Sequence, residues 1–183
     1  MPERPARILI TARPGAGKTT AIARLAELLR EADVPVAGFL TRELREGRRR
    51  VGFEIETFAG ERGLLAHIDI KGPPKVSRYG VDIEAFERLA LGALDPPGEE
   101  GGEGGAEGGV VVIDELGKME LASERFREAV SELWERAVPV VATVHTARHP
   151  FTDELKRRSG VSTVRLTAAN RDRLPEELAD RLA

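Results

Sequence analysis

The segment Ala12-Arg13-Pro14-Gly15-Ala16-Gly17-Lys18-Thr19-Thr20 joins a Gly-rich turn to a lysine and two hydroxyls. Backbone N–H groups in such a turn, at the start of a helix, cradle anionic oxygens, and the helix dipole adds to their pull. Lys18 at this spacing reaches the β and γ oxygens of a triphosphate, and the Thr19 hydroxyl is a ligand for the accompanying magnesium ion. The pattern Gly-x-x-x-x-Gly-Lys-[Ser/Thr] is met with one departure, Ala12 in the first position. Alanine is the smallest replacement and suffices if that position does not need a positive φ. Far downstream, Val110-Val111-Val112-Ile113 runs into Asp114-Glu115. Asp114, ending an apolar strand, is placed to hold magnesium directly or through water, and Glu115 to polarise an attacking water. Together the two segments imply a nucleoside triphosphate and its hydrolysis.

Other residues are candidates for the same site. Thr143 and His145 end a later apolar run, where one of them could touch the γ-phosphate; a plain polar strand end is the competing reading. Arg42, Arg45, Arg48, Arg49 and Arg50 cluster around a turn and could contact a triphosphate or another substrate. Asn170-Arg171 fits an arginine stacked on a base with an asparagine at the base edge, or equally a helix cap at Asn170. His149 has no such context, and three histidines in all make a His-based metal site a poor prospect.

The elements that must position these residues follow from periodicity. Residues 7–12 read as a buried strand, and Ile22, Leu25, Ala26 and Leu29 predict a helix over about 18–32. Val36–Leu44 and Val51–Phe58 read as strands joined by a hairpin turn at Glu46-Gly47-Arg48-Arg49. Leu64–Ile70 is a third strand, broken by Lys71-Gly72-Pro73-Pro74. Val81, Ala85, Phe86 and Leu89 predict a helix ending before Asp95-Pro96-Pro97. Gly98–Gly109, almost wholly Gly and Glu, cannot bury apolar surface and reads as a mobile surface loop. Val110–Ile113 has the β-branched run of a parallel strand covered on both faces. Ser123 is placed to cap a helix carrying Phe126, Val130, Leu133 and Trp134. Val138–Val144 and Val161–Leu166 read as strands, Phe151–Arg158 as a short helix, and the tail from Asn170 as helical. Strands alternating with helices predict one three-layer α/β domain with a mostly parallel sheet, to which the hairpin adds an antiparallel part.

Composition narrows the function classes. A chain of 183 residues fits one domain with a sizeable core. A net charge of −3 and few aromatics argue against nucleic acid as a partner. The absence of Cys excludes disulfides, thiolate zinc and Cys nucleophiles. With no apolar run of about 18 residues and no apolar signal core near the N-terminus, the expectation is a cytoplasmic protein off the membrane, favoured as a monomer. No Gln, one Asn and many Arg and Glu fit a thermophile or a GC-rich genome.

These stretches resemble the THEP1-type nucleoside-triphosphatase family over nearly the whole chain. The resemblance rests on the phosphate loop, Gly38–Arg45, Arg50–Phe53, Arg78–Val81, Asp114–Leu121, Thr143–His145 and Asn170-Arg171. It implies a RecA-like α/β fold and slow, magnesium-dependent hydrolysis of ATP, GTP and other triphosphates, with Lys18, Thr19, Asp114 and Glu115 in the roles above. Ala12 departs from the family's usual glycine, and the Gly-rich stretch before Val110 is longer than usual. From the residues alone, a small kinase passing the γ-phosphoryl to an acceptor and a nucleotide-dependent switch remain open.

Overall fold

Strand β1 (Arg7–Ala12) buries Ile8 and Ile10 on one face and Leu9 on the other in the computed structural model, which describes residues 5–96 and 109–183. The chain continues through α1 (Lys18–Glu31), β2 (Val36–Glu46), β3 (Arg49–Thr57), β4 (Arg62–His67), β5 (Lys75–Val76) and β6 (Tyr79–Val81). Then come α2 (Ile83–Ala93), β7 (Val110–Leu116), α3 (Glu124–Leu133), β8 (Val140–His145), α4 (Pro150–Arg157), β9 (Val161–Arg165) and α5 (Leu174–Leu182). Alternation along the central strands builds two cores. Ile8, Ile10, Val110, Val112 and Val141 pack against Ile22, Leu25 and Leu29 of α1 and Leu174 and Leu178 of α5. Leu9, Val111, Ile113, Val140 and Ala142 face the other way, onto Phe86 of α2, Phe126 and Val130 of α3 and Leu155 of α4. Helices on both faces explain why β7 is a continuous apolar run rather than an alternating one. The result is the expected three-layer α/β architecture. None of the described helices is long and apolar enough to cross a membrane.

The strands form one sheet in the order β5-β6-β4-β3-β2-β7-β8-β1-β9. β2, β7, β8, β1 and β9 are parallel neighbours, and β2, β3, β4, β6 and β5 are antiparallel ones. Ala12 pairs with His145, and Phe39 with Ile113, so β1, β7 and β8 end along one edge, where an α/β sheet places its ligands. The antiparallel part is larger than the expected hairpin. Val81 lies in β6 rather than in a helix, and Asp82 caps α2 by accepting from the Ala85 amide at 2.9 Å. The predicted third strand stops at His67, and the last helix begins at Leu174, after a series of turns from Thr167. The Gly-Glu stretch, apart from Gly109, lies outside the described residues.

Gly38 permits the junction between the two halves of the sheet. Its φ is +106°, and a Cβ there would lie 1.8 Å from the Val112 carbonyl oxygen on β7. Gly38→Ala is expected to cost on the order of 3 kcal/mol or more, from left-handed strain and a backbone clash together. A denaturant titration checks this; a midpoint equal to the parent's would show that β2 can shift away.

At the opposite end of β1, the buried Arg7 guanidinium donates to the carbonyls of Ala6, Trp134, Arg136 and Val138. It thus serves the carbonyl-rich C-terminal end of α3, where a cation is favoured by the helix dipole. Burial lowers its pKa and the nearby Glu135 charge opposes that.

Candidate active site

Between β1 and α1 the chain makes a turn closed by the Ala16 N–H donating to the Arg13 carbonyl at 3.1 Å. Gly15 and Gly17 have φ of +75° and +92°, conformations that an L side chain rarely adopts. Gly17 is also the N-cap of α1 and offers no side-chain acceptor, which leaves the first-turn amides for a bound anion. Ala12 lies within β1 and has no positive φ, so the departure from glycine carries no backbone cost. Lys18, Thr19 and Thr20 open α1.

Asp114 and Glu115 lie near the end of β7, at a register shift. Ile113 pairs with Ala142 and Leu116 with Val144, so Asp114 and Glu115 together oppose Thr143 alone. This bulge breaks the alternation that would send two successive side chains to opposite faces. Both carboxylates therefore reach the phosphate loop. The Lys18 ammonium donates to Glu115 Oε2 at 2.8 Å, and the Thr19 hydroxyl to Asp114 Oδ2 at 2.6 Å. The Thr143 hydroxyl donates to Asp114 Oδ1, also at 2.6 Å. Asp114 is buried, and burial raises its pKa against the two hydroxyl bonds and Lys18, which lower it.

Thr143 thus joins the site, whereas the His145 ring accepts from the Ala147 amide at 3.3 Å. The arginine cluster is taken up within the antiparallel part of the sheet: Arg42 pairs with Glu56, while Arg45 and Arg50 both pair with Glu43. Arg48 lies in the hairpin turn and Arg49 opens β3. Asn170 holds its own turn, its Oδ1 accepting from the Thr167 amide at 2.8 Å and its Nδ2 donating to the Arg165 carbonyl at 2.9 Å. That turn presents Arg171 beside the phosphate loop, in a cavity of about 380 Å³ lined by Gly17, Thr20, Ala21, Arg24, Arg171, Asp172 and Pro175. A larger cleft, about 600 Å³, surrounds Arg7 at the remote end of β1 and has no phosphate loop beside it.

Glu120 falls within the stretch Asp114–Leu121 and has no role among the residues predicted for the site. It begins a 3-10 turn, Glu120–Ala122, directly after the Asp-Glu pair, and is 4% exposed. Burial, followed by the Glu115 and Asp114 charges, pushes its carboxyl well above the usual carboxylate range. The visible signal is an acid three residues after Gly117, beside two acids already assigned to a site.

A hydroxyl and a carboxylate 2.6 Å apart, both hard oxygen donors, suit a magnesium ion that takes its other ligands from phosphates and water. The phosphate loop precedes α1, and β7 is separated from β1 by the one strand β8. This arrangement defines a P-loop nucleotide-binding protein of RecA-like build. Residues 7–179 match the model of the NTPase family, and the chain belongs to that family; it is a nucleoside triphosphatase, a hydrolase. It is 38% identical to nucleoside-triphosphatase THEP1 of Thermotoga maritima, over 94% of this chain and 92% of that one. It is 37% identical to the human cancer-related nucleoside-triphosphatase, over 91% of each. The crystal structure of THEP1 from the hyperthermophile Aquifex aeolicus superposes with a TM-score of 0.84, at 34% identity, covering 96% of this chain and 98% of that one.

Proposed function

We propose that this chain hydrolyses nucleoside 5′-triphosphates, ATP and GTP among them, to the diphosphate and phosphate with magnesium. The observation that carries this reading is the pairing of Lys18 with Glu115 and of Thr19 with Asp114, which joins the phosphate loop to the Asp-Glu pair. The amides from about Gly15 to Thr19 cradle the phosphates, with Ala12, Arg13, Pro14 and Ala16 shaping the loop and Thr20 adjoining it. Thr19 and Asp114 would hold magnesium, which would supply positive charge to the phosphates. The γ-phosphate competes for Lys18, which frees Glu115 to orient a water and accept its proton. The water oxygen bonds to the γ-phosphorus as the bond to the β,γ-bridging oxygen breaks. Lys18 and the loop amides neutralise the charge that develops. Glu115 beside the γ-phosphate end of the loop supports water as acceptor over a kinase's hydroxyl.

Arg171 stacks on the base in the 380 Å³ cavity while Asn170 fixes the turn that presents it. Stacking grips any base, which fits a broad substrate range. Arg171→Ala is expected to raise KM for each triphosphate about fivefold and leave kcat within about twofold. Inorganic tripolyphosphate, which has no base, should bind the variant and the parent alike; an equal loss for both ligands would place Arg171 on the phosphates instead. We read the protein as a cytoplasmic monomer with no nucleic-acid partner, consistent with its net charge of −3. Phosphate release from ATP, GTP, CTP and UTP, with magnesium and with a chelator, tests the whole reading. Release from several of them that requires magnesium is the expected result. A folded, nucleotide-binding protein that releases none, or that transfers the phosphoryl group to another molecule, overturns it.

A further inference from the structure

We propose that Glu120 is a positioning residue for hydrolysis, its carboxyl holding the Glu115 carboxylate in its working orientation across Gly117. The two acids converge on a single point. A Cβ built on Gly117 would lie 2.7 Å from Glu115 Oε1 and 2.9 Å from Glu120 Oε2, so both oxygens use the space that this glycine leaves open. Glu115 divides its oxygens: Oε2 accepts from the Lys18 ammonium, and Oε1 lies over Gly117, which Glu120 Oε2 also approaches. The backbone N–H groups of Gly117 and of Glu120 itself hold the Glu120 carboxyl from the turn side.

Among the described residues no ion pair joins Glu120 to a cation, and Lys118 in the same turn is exposed. From β7 it faces the charges of Asp114 and Glu115. On α3, Arg127 donates to the Leu121 carbonyl, Arg125 pairs with Glu87, and Glu124 and Glu128 are exposed. Lys18, on α1, is committed to Glu115. A buried acid among acids keeps its proton, because burial and like charge both disfavour the ionised form. A protonated Glu120 has a hydrogen to donate and Glu115 Oε1 is the acceptor turned toward it. The consequence appears when nucleotide binds. The triphosphate claims Lys18, Glu115 Oε2 is released toward water, and the hold on Oε1 persists to keep the base aimed.

This inference rests on Glu115 as the water-activating residue, and the experiment separates the two. Steady-state hydrolysis is measured from acid to alkaline pH for the full-length parent, Glu120→Gln, Glu120→Leu and Glu115→Gln, with nucleotide binding and thermal midpoint alongside. Glu120→Leu is expected to lose kcat about 30-fold or more with binding unchanged, since the base is present but no longer held. Glu120→Gln keeps a donor of the same shape and is expected to retain kcat within about threefold at neutral pH. The parent should lose kcat on the alkaline side as Glu120 gives up its proton, and Glu120→Gln should lack that limb. Parental kcat in folded Glu120→Leu overturns the proposal, as does a Gln variant as inactive as the Leu variant. If the Leu variant does not fold, an alkaline limb identical in the parent and Glu120→Gln overturns it. Glu115→Gln with full turnover removes the reading of Glu115 itself; an inactive Glu115→Gln beside a fully active Glu120→Leu removes this inference alone.

Discussion

Lys18→Ala is expected to lower kcat/KM for every triphosphate by about a hundred- to a thousandfold, the loss that follows removal of one preorganised donor from a site of developing charge. Two effects combine. The ammonium no longer neutralises the γ-phosphate, and Glu115 loses the group that holds its Oε2 at 2.8 Å before substrate arrives. The loop itself should survive, because its shape rests on the φ values of Gly15 and Gly17 and on the Ala16–Arg13 hydrogen bond rather than on the lysine. Thermal unfolding should therefore change little while phosphate release falls by that factor. Near-parental release from this variant would mean that the phosphates bind elsewhere.

Glu115→Gln is expected to separate binding from chemistry. The amide keeps the shape of the carboxylate but is not a base, so kcat should fall by about a hundredfold or more, within the range ascribed to general-base catalysis. Triphosphate affinity should hold or rise, because a negative charge beside the γ-phosphate is removed and Lys18 no longer has a carboxylate competing for it. Single-turnover phosphate release beside a direct binding titration gives both quantities. Unchanged turnover would exclude Glu115 as the group that activates water.

The centre of the candidate site, where Lys18 meets Glu115 and Thr19 meets Asp114, was legible because its signals are local. The glycines of the loop, the Lys-Thr pair and the apolar run into Asp114 each declare themselves within a few residues, and the three-layer fold follows from β7 being apolar at every position up to Ile113. What the sequence hid depends on contacts across the fold. The bulge that turns Asp114 and Glu115 to one side is a register event between β7 and β8, and no residue type marks it. Glu120 looks like any surface acid until the turn after β7 folds it inward. Asn170 fitted a base contact and a cap equally on sequence. The structure finds its amide engaged by Thr167 and Arg165, four residues before α5 begins. β5 and β6 span two and three residues, too short for periodicity to register.

The place where β7 starts bears on how this chain tolerates change. The Val110 amide donates to the Pro35 carbonyl, and Val36 pairs with Val110, so Gly109 enters the sheet at the edge where β2 also starts. The candidate phosphate site lies at the other edge, a strand's length away. β7 is therefore entered at the end of the sheet away from the candidate site. A reporter peptide joined just ahead of Gly109 would leave both termini native and meet the sheet at the edge opposite the candidate site.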